Sequence, residues 1–294
     1  MASVRDGPFS PAPWIPTDAR GVREGTTGDV ANEARVSAGP ATSAPPRLSL
    51  VLATLNEGEN LPRLIEALDA TPLPSLEMIF VDDGSADGSR EFLDALAARD
   101  PRVHRIYHDG KQTTVRAQTQ GIRAARGEYI VIMDSDLQHP VPVLPRLVQA
   151  LDDGAALAVA SRYREGGSTG ERSVGRAAIS RGASTLAKLL LSDARRVSDP
   201  VSGYFAFRKD VYQPLDPELR GYKLLLFLLV MARGRSITEV GYRFEPRTAG
   251  TSKVTQGFAF LRVFLREVRV ARRYARDRWG HRAAAATAPS PTQE

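Results

Sequence analysis

The chain has 294 residues, 42% of them hydrophobic and 25% charged, an ordinary globular balance with material for one large or two small domains. It contains no cysteine, so disulfides, thiolate nucleophiles and cysteine-based zinc sites are excluded, and its four histidines (104, 108, 139 and 281) do not cluster at metal-ligand spacings. The net charge of +6 is matched by the segment 256–282 alone, where eight arginines face only Glu267 and Asp277; a near-neutral body with one basic segment argues against nucleic acid as a partner.

Residues 1–46 hold seven prolines and five glycines, few large apolar residues and no periodicity, so a disordered N-terminal tail is expected. The apolar run 47–54 then reads as a strand buried on both faces. Leu61, Leu64, Ile65 and Leu68 have helical spacing over 60–68. A second buried strand follows at 76–81, a helix at 89–98, a third strand at 103–107 and a helix at 115–125. A fourth strand at 129–133, a helix at 143–151 and a strand-like stretch at 155–161 continue the alternation. Strands and helices alternating at this spacing imply βαβ units, a mostly parallel sheet flanked by helices, and a ligand site beyond the carboxyl ends of the strands. The longest apolar run, Leu224 to Ala232, has nine residues against the roughly 20 of a membrane span. No signal-peptide core is evident, so a cytoplasmic protein is expected. Phe260, Leu261, Phe264, Leu265, Val268 and Ala271 recur at helical spacing with Arg262, Arg266, Arg269, Arg273 and Arg276 opposite. A basic amphipathic helix over 256–282 is the expectation, lying on a membrane interface or packed on the domain with a solvated basic face. The stretch 283–294 reads as a frayed tail.

Neither a P-loop nor a Gly-x-Gly-x-x-Gly turn follows the first strand, which runs into Thr54-Leu55-Asn56-Glu57. Acidic residues occupy the other strand exits: Asp82-Asp83-Gly84-Ser85 after the second strand, and Asp134-Ser135-Asp136-Leu137-Gln138-His139-Pro140 after the fourth. In an extended segment Asp134 and Asp136 point to the same side, and a pair of hard oxygen donors suits Mg²⁺ or Mn²⁺ bridging to substrate phosphates. These clusters come in order with Ser161-Arg162-Tyr163, then Arg176 and Ser180, Asp199-Pro200-Val201-Ser202-Gly203-Tyr204, Gly221-Tyr222-Lys223, and finally Arg247, Gly250, Ser252 and Lys253. Across about residues 48–254 the chain resembles the family 2 glycosyltransferases of GT-A (Rossmann-like) fold, and within them the polyprenyl-phosphate (dolichol-phosphate) mannosyltransferase branch.

The resemblance implies one catalytic domain over 47–255 and assigns roles. Asp82 contacts the base or ribose of a nucleotide-sugar donor, and Thr54, Asn56 and Glu57 line the same pocket. Asp83 either contacts the donor or braces the turn. Asp134, Asp136 and Gln138 hold the divalent ion, and Asp136, Arg162 and Arg247 count as the catalytic residues. Arg162 and Arg176 receive the acceptor phosphate. Arg247, Ser252 and Lys253 lie on a loop that closes over donor and metal. His139 supports the ion site from behind, and Lys223 reads equally as an ordinary lysine at a helix start. After Gly-Tyr-Lys the family commonly carries an acid, and hydroxyl-acceptor relatives place a general-base carboxylate in this region, whereas 224–231 is wholly apolar here. A phosphate acceptor is already ionised near neutral pH and needs no general base, so the missing acid favours polyprenyl phosphate. The expected reaction is inverting transfer of a hexose, mannose from GDP-mannose foremost, by an enzyme peripheral on the inner face of the membrane. The alternatives are transfer from UDP-glucose or another UDP-sugar, or to a hydroxyl of a soluble metabolite.

Overall fold

The computed structural model describes residues 36–37, 44–110, 112–170, 174–215, 221, 223–246 and 258–286. Among the described residues eight strands form one sheet: β1 (Val36–Ser37), β2 (Leu48–Thr54), β3 (Leu76–Asp82), β4 (Val103–Tyr107), β5 (Tyr129–Asp134), β6 (Leu157–Ser161), β7 (Phe205–Arg208) and β8 (Ile237–Gly241), in spatial order β1-β4-β3-β2-β5-β7-β6-β8. The helices are α1 (Leu61–Asp69), α2 (Ser89–Arg99), α3 (Thr114–Ala124), α4 (Leu144–Asp152), α5 (Val174–Leu190), α6 (Leu224–Met231) and α7 (Phe258–Ala286).

The unbroken apolar runs of the central strands follow from burial on both faces. On one face Val51, Ile79, Val81, Ile130 and Ile132 join residues of α3, α6 and α7 in a single core. On the other, Leu48, Leu50, Leu52, Met78, Phe80, Val131 and Met133 pack on Leu61, Leu64 and Leu68 of α1, on Leu93 and Leu96 of α2, and on Leu144, Leu147 and Leu151 of α4. The three-layer α/β plan expected from the alternation is the observed one.

The sheet differs from the expected βαβ succession at its centre. β7 lies antiparallel between β5 and β6, with Ile132 opposite Phe205 and Val159 opposite the same residue. β6 and β8 pair parallel, so the strands other than β1 and β7 share one direction. The carboxyl ends of β2, β3, β5 and β6 therefore open on one edge, and the segment entering β7 arrives at that same edge. A correction also applies within the segment read as a tail. Val36–Ser37 pairs antiparallel with Ile106 and Arg105, because the outer edge of β4 offers unpaired backbone groups to any nearby extended chain.

The apolar stripe of α7 is not turned to a membrane. Phe264, Val268, Ala271 and Tyr274 are buried in the core shared with α6, and Arg262, Arg266, Arg269 and Arg276 are exposed. The interfacial placement of that stripe is thus corrected: all eight residues of α6 are buried, and such a helix needs a cover on the side away from the sheet.

Candidate active site

Three strand ends set the frame. In the pairing register Thr54 lies beside Asp82 and Ala53 beside Asp134, so the polar residues that follow β2, β3 and β5 emerge side by side. Thr54 is buried, and the turn after it is tied to the turn after β3: Asn56 N–H donates to Ser85 Oγ at 2.8 Å, Ala86 N–H to Asn56 Oδ1 at 2.9 Å, and Glu57 N–H to Ser89 Oγ at 2.9 Å. Asn56 sits at φ 49°, a left-handed conformation that asparagine tolerates better than most residues. The buried Glu57 carboxylate accepts from Asn60 Nδ2 at 2.6 Å. Asp82 is fully buried and accepts from Ser85 N–H at 3.0 Å, Gly84 N–H at 3.2 Å, the Ser85 hydroxyl and Arg90 Nε at 2.6 Å. Asp83 is buried next to it. The residues expected to line a donor pocket are therefore gathered in one place, and Asp82 is held there by an arginine.

The Asp-x-Asp pair is gathered differently from the expectation. β5 ends at Asp134 and residues 135–139 bend, with Leu137 at φ 61°, so the same-side argument for an extended segment does not describe Asp136. The Asp134 side chain is 45% exposed, while Asp136 is buried and its Oδ1 accepts the Gln138 N–H at 3.1 Å. The Gln138 side-chain amide donates to Glu245 O at 3.4 Å. His139 is clamped among Tyr204, Tyr242 and Phe244, with ring centroids at 5.1, 5.8 and 5.5 Å, and its Nδ1 lies 3.1 Å from the Tyr242 hydroxyl. Its Nε2 is 3.4 Å from Asp134 Oδ2, the backing position expected of it. A Cβ at Gly203 would stand 3.3 Å from that nitrogen and 3.5 Å from Asp134 Oδ2, so the glycine lets the backbone pass close behind the pair. Among the described residues no three His, Asp or Glu side chains group as a complete metal site. Two carboxylates with one exposed suit Mg²⁺ or Mn²⁺, ions that keep water and take substrate phosphate oxygens as further ligands.

Arg162 follows β6. It is buried and bound in two-pronged fashion by the fully buried Asp199, Nε to Oδ2 at 2.7 Å and Nη2 to Oδ1 at 2.9 Å. Burial works against its charge, and the Asp199 carboxylate more than offsets that, holding the guanidinium above its ordinary range. Asp199 lies in the segment leading to β7, 37 residues away in sequence, and no local pattern announces the pair. Arg176 lies on α5 with its side chain outside the described residues, and Arg247, Ser252 and Lys253 fall outside them altogether.

The residue least visible in the sequence is Glu267. Counted there as a stray acid in a basic segment, it is 1% exposed on the core side of α7 and accepts the Lys223 N–H at 2.9 Å. Its position in the Phe264, Val268, Ala271 stripe was the available signal: a charge on the apolar face of an amphipathic helix has a buried task.

The family model for glycosyl transferase family 2 matches residues 49–215. A dolichol-phosphate mannosyltransferase of Pyrococcus furiosus is 34% identical over 209 residues, which span 71% of this chain and 59% of that protein, so the match covers under two thirds of that relative's length. A polyprenol monophosphomannose synthase of Mycolicibacterium smegmatis is 34% identical over 226 residues, 74% of this chain and 84% of that one. Among solved structures, a glucosyl-3-phosphoglycerate synthase of Mycobacterium tuberculosis superposes with a TM-score of 0.55 at 20% identity, covering 78% of this chain and 79% of that one, a likeness of fold. With matched motifs falling at the strand ends just described, the chain belongs to glycosyl transferase family 2.

Proposed function

We propose that the protein is an inverting hexosyltransferase that moves mannose from GDP-mannose to polyprenyl phosphate. The observation that carries the acceptor class is α6: all of its residues are apolar and buried, so this helix supplies no carboxylate to activate a hydroxyl. A lipid phosphate brings its own ionised oxygen. The relatives' names supply the sugar and the lipid.

In this reading the turns after β2 and β3 hold the nucleoside through Thr54, Asn56, Glu57, Asp82 and Asp83. Asp134 and Asp136, with Gln138, would hold a divalent cation, whose chemistry when bound is to offset charge on the departing diphosphate. Arg162, oriented by Asp199, and Arg176 receive the acceptor phosphate, for which the planar guanidinium is suited. Arg247, Ser252 and Lys253 cover the donor. The phosphate oxygen attacks the anomeric carbon from the face opposite the nucleotide. The new carbon–oxygen bond forms as the bond to the diphosphate breaks, GDP leaves with the electron pair, and the product is β-linked. No helix of the described residues is long and apolar enough to cross a membrane; the exposed arginines of α7 are the proposed attachment to an anionic inner membrane face.

The test is a donor panel of GDP-mannose, UDP-glucose and UDP-N-acetylhexosamines, incubated with polyprenyl phosphate and Mg²⁺ or Mn²⁺, with the lipid product read by mass. Mannosylated lipid from GDP-mannose is expected, abolished by chelator and reduced at least a hundredfold in Asp136→Ala. Hexose from UDP-glucose would move the enzyme to the UDP-sugar alternative, and full turnover of Asp136→Ala in limiting metal would remove Asp136 from the ion site.

A further inference from the structure

The short stretch entering α6 is held from two sides. Val115 N–H of α3 donates to Gly221 O at 3.0 Å, and Lys223 N–H donates to Glu267 Oε1 of α7 at 2.9 Å. A Cβ at Gly221 would overlap the Glu267 carboxylate, so the glycine is what admits that side chain. With its backbone fixed there, Lys223 extends its ammonium to Val201 O at 3.0 Å. Val201 belongs to the segment that carries Asp199, the partner of Arg162, and Gly203, which backs the His139–Asp134 pair. The Lys223 ammonium is accordingly close enough to Arg162, Asp134, Glu267 and Asp199 for each charge to bear on it.

Two cations thus meet three carboxylates at the floor of the site, one negative charge in excess. A divalent cation held by Asp134 and Asp136 would offset those two carboxylates and leave Lys223 and Arg162 matched against Glu267 and Asp199, removing the excess negative charge that opposes an anion. Burial first, and the Arg162 charge next, hold the Lys223 pKa below the ordinary lysine value, the sign of an ammonium kept where charge is costly. Strongly perturbed groups of this kind cluster at functional sites.

We propose that Lys223 contacts a phosphoryl group of the substrates, and that Glu267 of the C-terminal helix is the positioning residue that sets it there. The proposal rests on the glycosyl-transfer reading above and adds to it a further cation and a helix beyond the matched family region. The shared chemistry is a phosphate oxygen, from either the donor diphosphate or the acceptor lipid.

The experiment combines binding with turnover. GDP with Mn²⁺ and a short-chain polyprenyl phosphate are each titrated calorimetrically against the whole protein, and KM and kcat are measured for both substrates. Lys223→Met is expected to weaken one of the two at least tenfold: loss of GDP affinity assigns the donor diphosphate, and loss confined to the lipid assigns the acceptor. Glu267→Ala should reproduce the same selective loss, Glu267→Gln should recover most of it because the amide oxygen still accepts the Lys223 N–H, and Lys223→Met/Glu267→Ala should be no worse than Lys223→Met. A merely structural glutamate would lower the melting temperature without that selectivity, and its effect would add to that of Lys223→Met, which would overturn the positioning role. Folded Lys223→Met with both affinities and both KM values unchanged would overturn the contact. If Lys223→Met does not fold, Lys223→Gln is read in its place, and failure of both to fold makes the lysine structural and overturns the proposal. Absence of any glycolipid from the unaltered enzyme would sink the transferase reading alone, because the two titrations read Lys223 without turnover.

Discussion

Glu77 shows how a single carboxylate can be committed to the fold instead of the site. It is 2% exposed on β3, and accepts from Ser49 Oγ at 2.6 Å, Arg126 N–H at 2.7 Å and Arg126 Nε at 2.9 Å. Burial pushes its pKa up, but the bonds from Ser49 and Arg126 outweigh that and hold it below the ordinary glutamate value. A depressed folded pKa stabilises the protein above the unfolded value and loses that contribution as pH falls through the folded one. Glu77→Gln should therefore lower stability by about 1.5 to 3 kcal/mol near neutrality, the range for hydrogen bonds to a charged group. The difference from the unaltered protein should shrink as pH falls below 4.5; thermal unfolding at pH 7 and in steps below pH 4.5 checks it, and a constant gap would refute the charge argument. At this scale the strand-end acids were legible, because a polar cluster after an unbroken apolar run marks a sheet's carboxyl edge. The Arg162–Asp199 pair was not, since its members lie in segments flanking two strands, β6 and β7, whose pairing the sequence does not display.

Elements reveal their constraints through close contacts. Gly121 lies in α3 against β2, where an added Cβ would overlap Val51 Cγ1 and stand 3.3 Å from Val81 Cγ2. Gly121→Ala should destabilise by roughly 1–3 kcal/mol, the cost of overpacking, despite the better helix propensity of alanine. Val51→Ala should return part of that loss in the double variant; simple addition of the two costs in denaturant melts would show that the contact is not the cause. The elements read correctly from sequence were those with long apolar runs or clean helical spacing, namely β2 to β6, α1 to α4 and α7. β7 has four residues, and β8 (Ile-Thr-Glu-Val-Gly) is partly exposed, so neither shows a buried-strand pattern. α5 interleaves glycines 175 and 182 with small residues, which blurs its period. Placing β7 antiparallel is a tertiary decision, taken by the pairing of Phe205, Ala206 and Phe207 with β5.

Over the whole molecule, α7 divides its two faces between different tasks. Its apolar face closes the core over α6, and its exposed arginines remain for another surface. Changing Arg262, Arg266, Arg269 and Arg276 together to Gln should leave the melting temperature within a few degrees. Binding to phosphatidylglycerol vesicles should fall steeply, since each basic residue near an anionic leaflet contributes about 1 kcal/mol. The binding of the unaltered protein should weaken with added salt in cosedimentation. Vesicle binding equal in the two proteins would end the membrane assignment of that face.

The same closure has a consequence in time. Met231 ends α6, and Phe264, the first described buried residue of its cover, is made about 30 residues later. At roughly 5–20 residues per second, synthesis leaves the eight-residue apolar helix without its lid for about 2 to 6 seconds. During that interval the nascent chain displays a fully hydrophobic surface beside an incomplete site. Chaperone capture should peak in that window, and Lys223 should acquire its geometry only when Glu267 arrives, so that synthesis of α7 determines when this corner of the site is complete.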